Sequence, residues 1–288
     1  MRPSLVIGIG EIVWDHVRGR FYLGGAPYNF AHFAKESGAA AYVVSAVGDD
    51  RLGRRAVRNI ASDGFETCLI QQKALPTGTV EVDSSVPTDP KYDIVEPVAW
   101  DGMELTEPAL DIIRKASCVC WGSLAQRSAL SRRTILSLVD AAPADCLRVF
   151  DVNIRQHYYS RRLLAGSLRR ADVLKLNENE LPLLQALFAW EGSPIEALFA
   201  RYRRLSLVVY TCGSSHSSIY DRNGLVSRIR TPKVKVRDTV GAGDSFTAVL
   251  VASLLKGCTV PAAHAKAVEV AALVCRSHGA IVSLPETF

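Results

Sequence analysis

Apolar and polar residues alternate along the chain in segments that predict strands and helices by turns. Residues 5–13 form a short apolar run, as expected for a buried strand, and residues 27–37 have helical spacing with a proline in the first turn. Another strand is predicted at 41–47, and a helix is predicted to begin after Asp50 and to end before Gly64. Strands and helices that alternate in this way build parallel α/β sheets.

The pattern changes between residues 67 and 100. Short β-type runs at 79–83 and 92–98 are separated there by proline and charged turn residues, while the segment from 14 to 22 is polar and is predicted to be irregular. We expect a small sheet beside the main domain, formed by about 14–24 and 67–100. Such a sheet could close over a bound substrate as a lid.

The strand and helix alternation resumes after residue 117. Strands are predicted at 118–121, 147–152, 173–176 and 207–211, each bounded by helical segments. Ligands of parallel α/β sheets bind at the carboxyl ends of the strands. The polar residues that fall there are Asp151, Asn153 and Arg155 after one strand, Asn177 and Glu180 after the next, and Thr211 and Gly213 after the last.

Composition limits the class of protein. With 288 residues and 48% hydrophobic content, the chain can bury a sizeable core, and we expect one domain over residues 1–288 that carries the lid. The net charge of +5 is modest and no dense Lys/Arg tract occurs, so nucleic-acid binding is not indicated.

The expected location is the cytoplasm. Seven cysteines form no C-x-x-C pair, and an odd number fits poorly with a closed disulfide framework. The first residues lack the apolar segment of a signal peptide, and no apolar run reaches the roughly 20 residues needed to span a bilayer. We therefore expect a soluble protein of a reducing compartment, with no membrane partner.

The segment 238–246 carries the strongest chemical signal, at the start of a predicted buried helix. It reads Asp-Thr-Val-Gly-Ala-Gly-Asp-Ser-Phe. Gly241 and Gly243 let main-chain N–H groups approach a charged oxygen, and free N–H groups at a helix start attract phosphate. The helix dipole is expected to keep Asp244 ionised and able to accept a hydroxyl proton. This combination suits phosphoryl transfer, although a capped helix would explain Asp244 alone.

A second motif lies far upstream, and the two together identify a resemblance. The residues are Gly24-Gly25-Ala26-Pro27-Tyr28-Asn29-Phe30-Ala31, followed by Gly38 and Gly48. In both motifs the chain resembles the ribokinase-like (PfkB) family of sugar kinases, and most closely the bacterial fructokinases. The resemblance implies a three-layer α/β/α sandwich with a mainly parallel central sheet and a small β-sheet lid. It also implies ATP and Mg²⁺ as cofactors, and homodimers joined through the lid occur in this family.

The resemblance implies roles for the residues near the sugar. Asp244 would be the catalytic base, and the N–H groups of Gly241, Ala242 and Gly243 would stabilise charge on the γ-phosphoryl group. Hydrogen bonds to sugar hydroxyls are expected from Asp15 and Asn29. Further substrate-binding candidates are Gly24, Gly25, Asn153 and Arg155. Alternatives stay open: Asp15 as a surface carboxylate, Asn29 as a helix-start side chain and Arg155 as an exposed arginine.

The nucleotide and metal roles follow in the same way. The family's Asn-x-x-Glu corresponds to Asn177 near the nucleotide phosphates and to Glu180, which would place Mg²⁺ through water. Thr211 and Gly213 resemble its nucleotide-binding Thr-x-Gly. A monovalent cation such as K⁺ would be held by Asp238, Val240, Gly279 and Ser283. A helix cap with an acidic first turn is the alternative for Asn177 and Glu180, and Asp238 could equally well simply anchor the turn.

These features predict an ATP-dependent kinase that phosphorylates a primary hydroxyl of a monosaccharide, with fructose as the leading substrate by resemblance. Ribose, a sugar acid, a nucleoside or a sugar phosphate are alternatives, and an acidic substrate would need a cation such as Arg127 or Arg155. A non-catalytic regulator that binds sugar or nucleotide is the alternative from another class. The chain has no G-x-x-x-x-G-K-[ST] loop, so a P-loop kinase is excluded.

Overall fold

A computed structural model describes residues 3–17, 19–83, 91–277 and 279–285 of the chain. In chain order, its strands are β1 (Leu5–Ile9), β2 (Val13–Val17), β3 (Arg20–Gly24), β4 (Ala40–Gly48), β5 (Ile70–Lys73), β6 (Gly78–Asp83), β7 (Lys91–Ile94), β8 (Cys118–Trp121), β9 (Leu147–Asp151), β10 (Val173–Asn177), β11 (Leu207–Cys212), β12 (His216–Asp221) and β13 (Gly224–Arg230). The helices are α1 (Ala26–Glu36), α2 (Arg51–Ser62), α3 (Glu107–Ile113), α4 (Ala129–Ala141), α5 (Arg161–Leu168), α6 (Glu180–Phe188), α7 (Pro194–Arg201), α8 (Ala242–Leu255) and α9 (Val260–Val274).

The described strands form a main sheet in the order β13-β12-β11-β10-β9-β8-β1-β4-β5. Neighbouring strands from β11 to β5 run parallel, whereas β12 and β13 continue the sheet antiparallel. The sequence analysis predicted a helical segment after residue 211, and this was wrong. The hairpin forms at the sheet edge, where β12 pairs with β11 and β13 pairs with β12. Three consecutive residues of β12, Ser217, Ser218 and Ile219, are buried, whereas β13 is only partly covered.

Helices cover both faces of this sheet. Alternate residues of β8 show the division, since Val119 and Trp121 join the core that α3 to α7 cover, while Cys118 and Cys120 join the core beneath α8 and α9. Helices α1 and α2 pack on the same side as α8. These three layers confirm the predicted ribokinase-like α/β/α sandwich with its mainly parallel sheet.

A second, smaller sheet has the order β3-β2-β6-β7, in the segments predicted for the lid. The small sheet was predicted to include residues 14–24, and β2 and β3 confirm this. The irregular conformation predicted for the polar stretch up to Tyr22 was wrong for the described residues, because a strand with one solvated face carries many polar residues. The first strand ends at Ile9 and not at residue 13, so Asp15 lies within β2. Residue 18 and residues 84–90 of the predicted lid lie outside the described residues.

Local sequence signals account for several element boundaries. Asp50 caps α2 by accepting a hydrogen bond from Gly53 N, as the predicted helix start requires. Proline occupies the first turn of α1.

All seven cysteines are free thiols. Within the described ranges, no helix combines the length and the apolar character that a bilayer crossing needs.

Candidate active site

The turn before α8 is held in place from two sides. Asp238 Oδ1 accepts a hydrogen bond from Val240 N at 3.0 Å, and Asp238 Oδ2 accepts one from Gly279 N at 3.1 Å. Gly241 follows with φ = 79° and begins the helix. Ala242 N donates to Thr239 O at 3.3 Å, whereas the N–H groups of Gly241 and Gly243 make no hydrogen bond within the described part of the chain. These two N–H groups are therefore free to receive an anion.

Asp244 lies in the first turn of α8, beside these N–H groups. Its Oδ2 accepts a hydrogen bond from Asn29 Nδ2 at 2.8 Å, which joins α8 to α1. Burial of the carboxyl group, followed by the negative charge of Asp151, raises the pKa of Asp244 to about 6. The helix dipole was expected to keep this residue ionised, and burial works against it. A pKa near 6 still leaves the carboxylate mostly ionised at neutral pH.

Two further carboxyl groups surround the space next to Asp244. Burial raises the pKa of Glu11 to about 7 and that of Asp15 to about 6. The buried Glu11 Oε2 and Asn29 Oδ1 have no hydrogen-bond partner within the described residues. Buried polar atoms of folded proteins are usually paired, so these atoms suit hydroxyl donors of a ligand.

The Gly24–Gly25 pair leaves room for such a ligand. A Cβ atom at Gly24 would lie 3.4 Å from Asp15 Oδ2 and 4.0 Å from Asn29 Oδ1, so it would fill the space between these two side chains. At Gly25, where φ is 117°, a Cβ atom would overlap the main-chain oxygen of Glu11. The two glycines thus bring β2, α1 and the segment after β1 close together.

Arg155 and Arg127, the two arginines considered for binding an acidic substrate, differ in how accessible their guanidinium groups are. Arg155 is exposed, donates to the Ile154 main-chain oxygen and acts electrostatically on Glu11, Asp15 and Asp244. The side chain of Arg127 is only 4% exposed, forms an ion pair with Asp101 at 2.7 Å and lies over the Trp100 ring. Arg127 is therefore committed to the protein interior, and Arg155 is the guanidinium that faces the carboxyl groups. The neighbouring Asn153 has φ = 42° and lines a small cavity with Asp244.

A buried ion pair lies behind the first turn of α8. Lys175 Nζ is 3.1 Å from Asp151 Oδ1, and Asp151 Oδ2 is 3.3 Å from the Thr247 hydroxyl. Burial alone would lower the pKa of Lys175, but the carboxylates of Asp151, Glu180 and Asp244 outweigh it and raise that pKa. The pair thus places a positive and a negative charge close to the predicted catalytic base.

The predicted nucleotide residues lie at the ends of β10 and β11. Asn177 Oδ1 accepts from Asn179 N and Glu180 N, so it caps the start of α6. Each carboxylate oxygen of Glu180 accepts one main-chain N–H, from Ile154 at 2.9 Å and from Asn177 at 2.8 Å. The structure therefore has the helix-cap geometry, and a Mg²⁺-bound water would use the remaining lone pairs of Glu180. Thr211 is paired with Asn177 in the last position where β10 and β11 run side by side. Gly213, two residues later, has φ = 43°.

At the predicted monovalent-cation site, Asp238 anchors the turn through its hydrogen bonds from Val240 N and Gly279 N. Val240 and Gly279 are tied together by the two Asp238 oxygens, and Ser283 lies in the segment that follows Gly279. Within the described ranges, no group of three or more His, Cys, Asp or Glu side chains is placed to hold a metal ion.

The sequence analysis did not assign roles to Glu11, Lys175 or Thr247. A signal existed for Lys175, because a lysine within the otherwise apolar strand Val173–Asn177 needs a buried partner. Glu11 follows a buried strand directly, at a position where ligand-binding residues occur. Thr247 has no such signal, since threonine is common in helices and its partner Asp151 is distant in sequence.

The chain matches relatives over most of its length. It is 27% identical over 240 residues to a sugar kinase of Pyrococcus horikoshii, covering 81% of this chain and 73% of that protein. It is 25% identical over 275 residues to 5-dehydro-2-deoxygluconokinase 2 of Bacillus cereus, covering 92% of this chain and 83% of that protein.

Solved structures share the fold. The crystal structure of fructokinase with bound ATP from Xylella fastidiosa superposes with a TM-score of 0.84 at 21% identity, covering 98% of this chain and 95% of that one. An uncharacterized sugar kinase from Pyrococcus horikoshii in complex with ATP has a TM-score of 0.83 at 26% identity, covering 96% of this chain and 93% of that one. The family model described as "pfkB family carbohydrate kinase" matches residues 9–287. The chain therefore belongs to the pfkB family of carbohydrate kinases.

Proposed function

We propose that this kinase transfers the γ-phosphoryl group of ATP to a primary hydroxyl of a small monosaccharide, with Asp244 as the general base. The observation that carries the proposal is the position of Asp244 beside the free N–H groups of Gly241 and Gly243, with its carboxylate held by Asn29. A base and an anion site thus share one helix turn. Relatives with bound ATP among the sugar kinases support the choice of nucleotide.

The chemistry needs one proton acceptor and one anion site. Asp244 takes the proton of the sugar hydroxyl, the hydroxyl oxygen forms a bond to the γ-phosphorus, and the bond to the β-phosphate oxygen breaks so that ADP leaves with the electron pair. The N–H groups of Gly241 and Gly243 stabilise charge on the transferring group. Glu180 would hold Mg²⁺ through water, and the ion would neutralise phosphate charge. We propose that a monovalent cation binds by Asp238, near the Val240 and Gly279 main-chain oxygens.

Fructose is the leading substrate, and a keto sugar acid is the second candidate. Asp15 and Asn29, with the unpartnered oxygens of Glu11 and Asn29, offer acceptors that suit the hydroxyls of a neutral ketose. The exposed guanidinium of Arg155 beside these groups favours a carboxylate on the substrate. The 5-dehydro-2-deoxygluconokinase of Bacillus cereus is a relative whose name specifies such a sugar acid.

Release of ADP from MgATP should be measured with a panel containing fructose, ribose, a 2-keto-3-deoxy sugar acid, 5-dehydro-2-deoxygluconate, a nucleoside and fructose 6-phosphate. We expect sugar-dependent ADP release that falls below about pH 6, because protonated Asp244 cannot accept the hydroxyl proton. Asp244→Asn should lower kcat by about 10²–10⁴-fold while the protein stays folded. Sugar binding without ADP release would indicate the regulator instead, and normal turnover by the variant would exclude Asp244 as the base.

Arg155→Gln separates the two substrate classes. If the substrate is a sugar acid, the variant should lose catalytic efficiency for the acid by about 10²-fold and keep that for a neutral sugar. Equal effects on both substrates would remove Arg155 as the carboxylate-binding residue. The Arg114→Gln variant, at an exposed pair with Asp111, is the matched control.

A further inference from the structure

Two charged side chains lie in the interior directly behind the first turn of α8. Lys175 is 7% exposed and Asp151 is 5% exposed, and they come from the adjacent parallel strands β10 and β9. Their ion pair has a distance of 3.1 Å. Lys and Asp are rarely buried to this degree unless they are paired, and replacement of such a pair by apolar residues often costs no stability. A role in the neighbouring site would explain why charges are placed here.

The pair contacts the helix turn at two points. The Thr247 hydroxyl lies 3.3 Å from Asp151 Oδ2 and 2.9 Å from Gly243 O, so it links the carboxylate to the main chain of the anion-binding turn. A methyl group at Gly243 would lie only 3.1 Å from Lys175 Nζ, so the ammonium group packs against the Gly243 backbone. Lys175 and Asp151 thus both reach the start of α8, the ammonium group at Gly243 and the carboxylate at Thr247.

We propose that Lys175 and Asp151 are positioning residues whose ion pair holds the first turn of α8 and sets the charge state of Asp244 by opposing effects. The positive Lys175 favours the ionised carboxylate, and the negative Asp151 disfavours it. Asp151 also keeps Lys175 charged in the interior. The proposal deepens the proposed function, since Asp244 is the base there, but its geometry does not depend on which sugar is used.

Several elements bring polar and charged groups to Asp244. Asn29 on α1 donates the one direct hydrogen bond to the Asp244 side chain among the described residues, and the remaining influences are electrostatic. The titratable or charged groups are Glu11 after β1, Asp15 on β2, Cys120 on β8, Asp151 on β9, Arg155 after β9 and Lys175 on β10. Asp151 and Lys175 differ from the others because they also contact the α8 turn.

The direct test is a carboxyl ¹³C NMR titration of protein labelled at aspartate, which needs no substrate. The Asp244 signal is identified by its loss in Asp244→Asn. Lys175→Met should raise the pKa of Asp244 by about 1 or more, because a nearby positive charge is lost, and Asp151→Asn should lower it. The double variant should give a value between those of the single variants. Shifts in the same direction, or no shift in either single variant, would overturn the proposal.

Folding is monitored by thermal unfolding of each variant. If Lys175→Met does not fold because it leaves Asp151 unpaired, Asp151→Asn is compared with the double variant, and the difference isolates the effect of the Lys175 charge. The double variant should then have the higher Asp244 pKa of the two, and an equal value would refute the role of Lys175. Arg170→Met is the control, since it removes a cation from the partly exposed pair with Asp140. It should leave the Asp244 pKa unchanged.

Kinetics provide the second readout. With an active enzyme, the acid limb of kcat/KM should move to higher pH in Lys175→Met and to lower pH in Asp151→Asn, following the Asp244 titration. A purely structural role would lower the rate without moving the limb in opposite directions. If no sugar in the panel supports turnover and the NMR shifts still occur, the proposed function fails and the positioning role stands.

Discussion

Gly241 connects the Asp238-anchored turn to α8 and has no room for a side chain. Its φ of 79° is favourable only for glycine, and a Cβ atom there would lie 2.8 Å from the Ala280 main-chain oxygen. The segment around Gly279 and Ala280 therefore packs directly against the start of the helix. Because the free N–H groups belong to this turn, a small displacement here changes the position of the anion site.

Gly241→Ala should destabilise the protein more than Gly257→Ala. Gly257 follows the other end of α8 with φ = 82°, and a Cβ atom there would meet no atom within 4 Å. Both variants incur the backbone cost of about 1–2 kcal/mol, and Gly241→Ala adds the contact with Ala280. Denaturant unfolding measures the two losses, and kcat should fall only for Gly241→Ala. Equal unfolding losses would show that the Ala280 contact relaxes freely.

At the scale of elements, one histidine joins the β12–β13 hairpin to α9. His264 is fully buried, with Nε2 at 2.7 Å from the Ser217 hydroxyl and Nδ1 at 2.8 Å from the Ser227 hydroxyl. Burial lowers the pKa of His264 to about 4. The neutral imidazole bridges two strands, and this contact ties the edge of the main sheet to the helical layer.

The free energy of unfolding should decrease as the pH is lowered, because of His264. The unfolded chain binds a proton at this residue near pH 6.5, whereas the folded protein does not until about pH 4. The full stability is therefore present above about pH 6.5 and is lost progressively as the pH falls to 4, by up to ~3 kcal/mol. The free energy of unfolding of His264→Gln should vary less over this range. The exposed His157 provides the control, and if His157→Gln removed as much of the pH dependence, the assignment to His264 would be wrong.

At the scale of the whole molecule, Arg127 joins the smaller sheet, the predicted lid, to the main domain. Its Nη2 donates to the Val95 main-chain oxygen at 2.8 Å, just after β7, and its guanidinium lies between the rings of Trp100 and Tyr158. Strand β7 pairs with β6, and β6 pairs with β2, which carries Asp15. The position of Asp15 beside the proposed sugar site thus depends on a contact at the β7 edge of the smaller sheet.

Arg127→Lys should raise the KM for the sugar and leave kcat less affected. Lysine keeps the charge but cannot form the paired hydrogen bonds to Asp101 or stack in the same way, so the lid loses its attachment. We expect a loss of about 3 kcal/mol in unfolding free energy, whereas Arg114→Lys at an exposed pair should cost below about 1 kcal/mol. An unchanged sugar KM in a destabilised variant would limit Arg127 to a role in folding.

Local signals predicted the elements whose residues need only their neighbours in sequence. The Asp50 cap, the proline of α1 and the apolar run of β8 all lie where the pattern indicated. The β12–β13 hairpin was not predicted, and for residues 14–24 the prediction gave membership of the small sheet but not the β2–β3 pairing. Their strand character follows from pairing with partners that a local pattern does not show.

The sequence by itself determined the turn that we propose to bind an anion, since Gly241, Ala242, Gly243 and Asp244 are contiguous and lie at the start of an apolar helix. Tertiary structure decided the surroundings of Asp244. Asn29 meets it across 215 positions, and Lys175 and Asp151 arrive from two separate strands. The pKa of Asp244 reflects burial and all of these charges at once. Burial and electrostatic interactions depend on distances in space, and the chain acquires those distances only when it folds.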